Sequence, residues 1–281
     1  MTTRFHPRRR HFSRRLGILA LFAFATICGS APVSAQTKPK ILRVGIERPA
    51  SGIYIGNSFF YYNNGLPGHV NRLLAAADPQ YRFRNTLAAI SGSGWDWHDV
   101  ESYFRPNAVG SYSFDAKNNI VFNKPGERLF DLAIMMDCSQ CPIHPQLKEV
   151  FWQYAKKHSE SVRRHGALPV FFMSWAYADK PEMTAQLAEE YTRAGNEFNA
   201  MVIPAGLAFA KSVAQRPTLN LYVGDLRHPS LAGTYLAPCT VYASLFHKSP
   251  VGLPYTAGLE ATTARFLQEV AWSTVQEYFG E

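Results

Sequence analysis

The 281-residue chain carries a formal charge of +8 and is 47% hydrophobic but only 18% charged, a balance that suits a folded domain and excludes a disordered, charge-rich polymer. Six of its 29 basic residues and none of its 21 acidic ones lie in Met1 to Ala35, so the charge of the remainder falls to +2. The basic balance therefore belongs to the N-terminus and gives no support to a nucleic-acid partner or a membrane surface.

That N-terminus has arginines at 4, 8, 9, 10, 14 and 15, an apolar run from Leu16 to Ile27, and a small-residue site at Val33-Ser34-Ala35. It predicts a secretory signal cleaved before Gln36, hence a periplasmic or secreted protein without stable membrane insertion. The run is about 12 residues where a membrane span needs ~20. Ser13-Arg14-Arg15 resembles a twin-arginine export signal, although Gly17 stands where a bulkier residue is usual. Ile27 is too large to precede a lipidated Cys28. The remaining 246 residues suit one α/β domain.

Apolar runs then alternate with helical patterns, which predicts a three-layer α/β/α sandwich around a mostly parallel five-stranded sheet. Ile41 to Ile46 reads as an added N-terminal strand. Ile53-Tyr54-Ile55 begins the main sheet and runs into the turn Gly56-Asn57-Ser58, followed by a helix from about Pro67. Tyr81 to Ile90 contains the second strand, ending in Ser91-Gly92-Ser93-Gly94, where glycines let backbone amides face a ligand. Glu101 to Glu127 reads as a surface excursion that could rim a site. Further strands are expected at Leu129 to Met136, Pro169 to Trp175 and Val202 to Pro204. Helices are expected at Gln146 to Arg164, Glu182 to Ala200, Gly206 to Val213, Leu231 to Phe246 and Glu260 to Tyr278. Cys138, Cys141 and Cys239 remain after the signal. Cys138-Ser139-Gln140-Cys141 predicts a local disulfide or inert thiols, with redox or metal chemistry as the alternative; no fourth ligand for zinc is evident beside His144.

Gly224-Asp225-Leu226-Arg227-His228 places an acid three residues before a histidine, and with Ser58 supplies a nucleophile, a base and an orienting carboxylate. The ordered set of Gly56-Asn57-Ser58-Phe59, the Ser91 to Gly94 loop, Met173-Ser174-Trp175-Ala176-Tyr177, Val202-Ile203-Pro204-Ala205-Gly206 and Asp225 to His228, with Pro229-Ser230, Gly233 and Tyr235 following, resembles the SGNH/GDSL hydrolase superfamily, in a less studied secreted bacterial branch.

That resemblance implies a flavodoxin-like SGNH hydrolase fold and a serine ester hydrolase needing no cofactor and no metal, with Ser58 as nucleophile, His228 as base and Asp225 as orienter. It places the oxyanion at the amides of Ser58 and Gly92. The superfamily's third block usually adds an asparagine donor, but the stretch Met135 to Gln140 has none; ionised Asp137 would oppose the oxyanion, leaving Ser139, Gln140 or two backbone donors alone. Asn57, Trp95 and Trp175 are candidate substrate contacts, with Trp97 and Tyr177 as further aromatic faces for a sugar, core packing being the competing explanation for each aromatic. His98, His144 and His247 read as surface or structural. The expected partner is a small-molecule or carbohydrate ester, with deacetylation of a carbohydrate or cell-envelope polymer the narrower class. An O-acyltransferase with the same triad, and a binding protein on the same scaffold with little or no turnover, are the alternatives.

Overall fold

The computed structural model describes residues 1–3, 37–122 and 128–281; the expected signal sequence lies almost wholly outside them. The chain divides into a unit Met1–Ala35 and a unit Gln36–Glu281, and every element below belongs to the second.

The segment 41–46 forms no strand, correcting the sequence expectation. Gly45 takes a left-handed φ of +79°, which ends the extended run; Val44 is buried in the core and Ile41 packs against it. The sheet begins with β1 (Ser51–Gly56), followed by α1 (Leu66–Ala77) and β2 (Arg84–Ala89). The expected surface excursion contains a one-turn helix α2 (Val100–Tyr103) and an antiparallel hairpin of β3 (Tyr112–Phe114) and β4 (Ile120–Phe122), with all six strand residues exposed. Then come β5 (Leu132–Met135), α3 (Lys148–Arg164), β6 (Leu168–Phe172), α4 (Met183–Glu197), β7 (Met201–Ile203), α5 (Ala205–Gln215), α6 (Leu231–Phe246) and α7 (Ala261–Phe279).

The main sheet is five strands in the order β2-β1-β5-β6-β7, parallel at every pairing. Its central strands are buried on both faces, as helices on both sides demand. Side-chain alternation divides the interior into two cores. Tyr54, Leu132, Ile134, Val170, Phe172 and Ile203 meet α1, α5, α6 and α7. Ile53, Ile55, Ala133, Met135, Phe171 and Val202 meet α2, α3 and α4. The result is the three-layer α/β/α sandwich expected from the alternation of strands and helices. No helix among the described residues is long and apolar enough to cross a membrane.

The serine turn follows the C-terminal end of β1, second in the order and beside β5, where the direction of winding reverses and the loops of a parallel sheet part to form a crevice. Phe172 seats it from below: the ring is fully buried and meets Phe60, two residues after Ser58, edge-on at 5.1 Å. Phe172→Ala should lower the unfolding free energy by about 3–5 kcal/mol, read as a shift of the urea midpoint at unchanged slope.

Candidate active site

Asn57 sits in extended backbone and caps the one-turn 3-10 helix Ser58–Phe60, its side-chain oxygen accepting the Phe59 N–H at 3.3 Å. This turns the chain sharply and leaves the Ser58 side chain facing the loop after β7 and α5. There Ser58 Oγ lies 2.7 Å from His228 Nε2, across 170 residues of sequence. His228 Nδ1 lies 2.5 Å from Asp225 Oδ2. A carboxylate can only accept, so Nδ1 carries the proton and Nε2 offers its lone pair to the serine hydroxyl.

Asp225 fixes its own loop as well as the ring. Its Oδ1 accepts the backbone N–H groups of Arg227 and His228, each at 2.9 Å. The bond to His228 is the main reason its carboxyl is held down at about 2, so it stays ionised at neutral pH. The loop is anchored from outside by Ala178 N–H donating to Leu226 O and by the Trp175 indole N–H donating to Arg227 O, both at 2.9 Å. Two aromatic rings confine the imidazole: Tyr62 stacks on it at 4.4 Å and 11°, and Phe59 meets it edge-on at 5.4 Å and 82°.

The Ser91 to Gly94 loop is bound tightly to the serine turn. Ser93 N–H closes a turn onto Ile90 O at 3.1 Å, with Gly92 at φ +72°, the left-handed third position that favours glycine. Asn57 Nδ2 donates to Ser93 O at 3.0 Å, and Ser93 Oγ donates to Gly56 O at 3.1 Å. Buried His98 joins this brace through Gly56 O at 3.1 Å and Tyr103 Oη at 2.9 Å, with burial lowering its pKa. Among the described residues the backbone N–H groups of Ser58 and Gly92 donate to no protein acceptor.

The third block supplies a brace of its own. Asp137 is buried; its Oδ1 accepts the N–H groups of Trp95 at 2.8 Å and Cys138 at 2.7 Å, while its carbonyl accepts from Asn57 Nδ2 at 3.3 Å. Burial pushes its carboxyl up to about 7. Ser139 Oγ is hydrogen-bonded to Tyr177 Oη at 2.6 Å. Cys138 and Cys141 form a disulfide and Cys239 is a buried free thiol. Asp137, Cys138 and Cys141 cluster within 4.8 Å, but with both sulfurs in the disulfide they offer no thiolate to a metal.

Three expected substrate contacts are placed elsewhere. Trp95 is buried and stacks on Phe151 at 5.2 Å. Trp175 is wholly buried, stacked between Phe59 at 4.4 Å and Phe209 at 4.2 Å. Neither has a free face, because large aromatic rings gain most from desolvation. Asn57 is buried with its amide committed to the two loops. Trp97, by contrast, is exposed. Sequence reading missed Tyr62, Phe59 and Asn63, whose Nδ2 donates to Pro229 O at 3.0 Å and Thr234 Oγ1 at 2.7 Å. The aromatic run Phe59-Phe60-Tyr61-Tyr62 beside a serine turn was the available signal. A cavity of ≈520 Å³ lined by Ala176, Phe209, Val213, Leu221 and Tyr222 lies beyond the Phe59–Trp175–Phe209 stack from Ser58, so its apolar volume is not the seat of the chemistry.

No protein-family model matches the chain, and no curated protein matches it either. Solved structures do. A DUF4886 family protein from Bacteroides uniformis superposes with a TM-score of 0.58 at 17% identity, over 82% of this chain and 95% of that one. A protein from Slackia heliotrinireducens assigned to the SGNH hydrolases gives 0.52 at 20% identity, over 69% and 97%. A catalytic mutant of Axe2, an acetylxylan esterase from Geobacillus stearothermophilus, gives 0.51 at 13%, over 76% and 97%. The fold is therefore that of the SGNH hydrolases, as the ordered motifs imply.

Tyr62→Leu should slow reaction of Ser58 with a fluorophosphonate roughly two- to fivefold, the worth of an aromatic face on a forming imidazolium, while Tyr62→Phe retains the rate. Asp137 supplies a stability test. Burial holds its folded carboxyl at about 7 against an ordinary aspartate value of 3.8, so the folded state holds the extra proton between them and stability falls as pH rises through that window. Asp137→Asn cannot ionise; from pH 4 to pH 8 its unfolding free energy should gain on wild type by up to about 4 kcal/mol in urea titrations.

Proposed function

We propose that this chain is an exported serine ester hydrolase working through an acyl-Ser58 intermediate. The observation that carries the reading is the continuous hydrogen-bonded series Ser58–His228–Asp225. A serine hydroxyl is a weak nucleophile until a base removes its proton, and His228 Nε2 stands where it can do so. As Oγ attacks an ester carbonyl, Asp225 steadies the imidazolium and the ring stays aligned between Tyr62 and Phe59. The developing oxyanion is received by the free amides of Ser58 and Gly92. His228 then returns the proton to the leaving alcohol. A water deprotonated by the same ring attacks the acyl group and releases the acid, restoring Ser58.

With Asp137 committed to bracing the Trp95 and Cys138 amides, the oxyanion site rests on two backbone donors, and turnover is modest for a triad hydrolase. The arginine-rich N-terminus supports an extracytoplasmic setting. Acetyl esters of carbohydrate are the substrate class we favour, which accords with the acetylxylan esterase among the similar structures.

A fluorophosphonate probe should label the wild type and fail to label Ser58→Ala. Asp225→Asn should lower kcat on p-nitrophenyl acetate by about 10²- to 10⁴-fold. A folded wild type that neither labels nor hydrolyses any short-chain ester would sink the hydrolase reading and leave a binding protein on this scaffold.

A further inference from the structure

On the Tyr62 side of the triad lies a polar cavity of ≈430 Å³, walled by Asn64, by Gly68, His69 and Arg72 of α1, by Leu231 at the start of α6, and by the loop from Pro254 to Gly258. It adjoins the catalytic histidine through two short links. Tyr62 stacks on the His228 ring, and Asn63, the next residue, accepts from His69 Nε2 at 2.7 Å while its own amide holds Pro229. Leu231 follows His228 by three residues.

The wall opposite α1 is built rather than loose. Gln268, buried, accepts the Gly252 N–H at 2.9 Å and donates to Leu253 O at 3.0 Å and Tyr235 Oη at 2.9 Å; Tyr235 in turn donates to Tyr255 O at 2.5 Å. Such a satisfied buried network fixes the loop that carries Tyr255. The carbonyl of Asn63 can only accept, so His69 donates from Nε2, and the Tyr255 hydroxyl donates to its Nδ1 at 2.6 Å. The phenol oxygen is thereby presented as an acceptor. Arg72 lies 5.9 Å from the centroid of the same ring, and among the described residues it has no carboxylate partner; none lines the cavity.

Gly68 is a second pointer. It stands in the first turn of α1, and a Cβ built there meets no heavy atom within 4 Å outside its chain neighbours and the helix's own backbone. No packing contact calls for the glycine. Its missing side chain keeps the cavity floor open.

We propose that this cavity is a subsite for an anionic, hydroxyl-bearing group of the ester substrate, a carboxylate or phosphate held by Arg72 with a hydroxyl given to Tyr255. The substrate class becomes esters of acidic carbohydrates. This deepens the hydrolase reading and rests on it for the word substrate, but the anion site can be measured without turnover.

The test is calorimetry of glucuronate, inorganic phosphate and glucose against full-length Ser58→Ala, alone and combined with Arg72→Gln or Gly68→Leu. Glucuronate or phosphate should bind at least about tenfold more tightly than glucose, and each added substitution should remove about tenfold, the scale of one charge-assisted hydrogen bond. Preference for glucuronate assigns a sugar acid, and preference for phosphate a phosphorylated sugar. In the otherwise wild-type enzyme, Arg72→Gln should lower the ratio of kcat/KM for an acidic over a neutral acetylated oligosaccharide by a similar factor. Equal binding of glucuronate, phosphate and glucose, or affinities and a kinetic ratio indifferent to Arg72→Gln, would overturn the subsite. Failure of Ser58 to label with a fluorophosphonate, with anion binding intact, overturns the hydrolase reading instead.

Discussion

The carboxamide of Asn57 is the contact on which the site depends. One side chain donates to the carbonyls of Ser93 and Asp137 and accepts the Phe59 N–H, so it joins the ends of β1, β2 and β5. Each of these loops alone would be free to move, as connecting segments usually are. Tied through a buried amide, they hold the Ser58 turn and the Gly92 turn in one arrangement. An amide buried without those partners would cost on the order of 1–3 kcal/mol, so the same residue also penalises any other arrangement of the loops.

The Asp225–His228 loop is held by separate means. It has no strand at its end, only the single bridge between Tyr222 and Pro229, and its order comes from Asp225 gripping two amides of its own loop and from the Trp175 indole. Trp175 links the two halves: its ring stacks on Phe59, next to the serine, while its N–H holds Arg227, next to the histidine. A buried aromatic here does positional work at the site without touching a ligand.

Polar groups near the site divide into those that face outward and those consumed by bracing. His98, Ser93, Asn57 and Asp137 are consumed, and burial accordingly drives His98 and Asp137 toward their neutral forms. The backbone amides of Ser58 and Gly92 keep unspent capacity. On the far side of Tyr62, Arg72 and the Tyr255 oxygen do so as well. This division, more than the identity of any one residue, separates the groups free to meet a ligand from the scaffold.

Much of this was legible from the amino-acid order. Short continuous apolar runs foretold a sheet buried on both faces, and helical periodicity foretold the segments that cover it, because both patterns are written between near neighbours. The residue types for a nucleophile, base and carboxylate were likewise visible, as was the missing asparagine at the third block. The destination of individual side chains was not. Asn57 finds partners 36 and 80 residues away, and Trp95 and Trp175 were compatible with a sugar platform as well as with the core stack that large aromatics more often join. The apolar run at 41–46 met no strand partner and was broken at Gly45. Ser58 and His228 lie 170 residues apart and come within 2.7 Å only through packing of the layers. Local periodicity encodes which face a residue takes; which atoms it meets there depends on elements brought in by the whole fold.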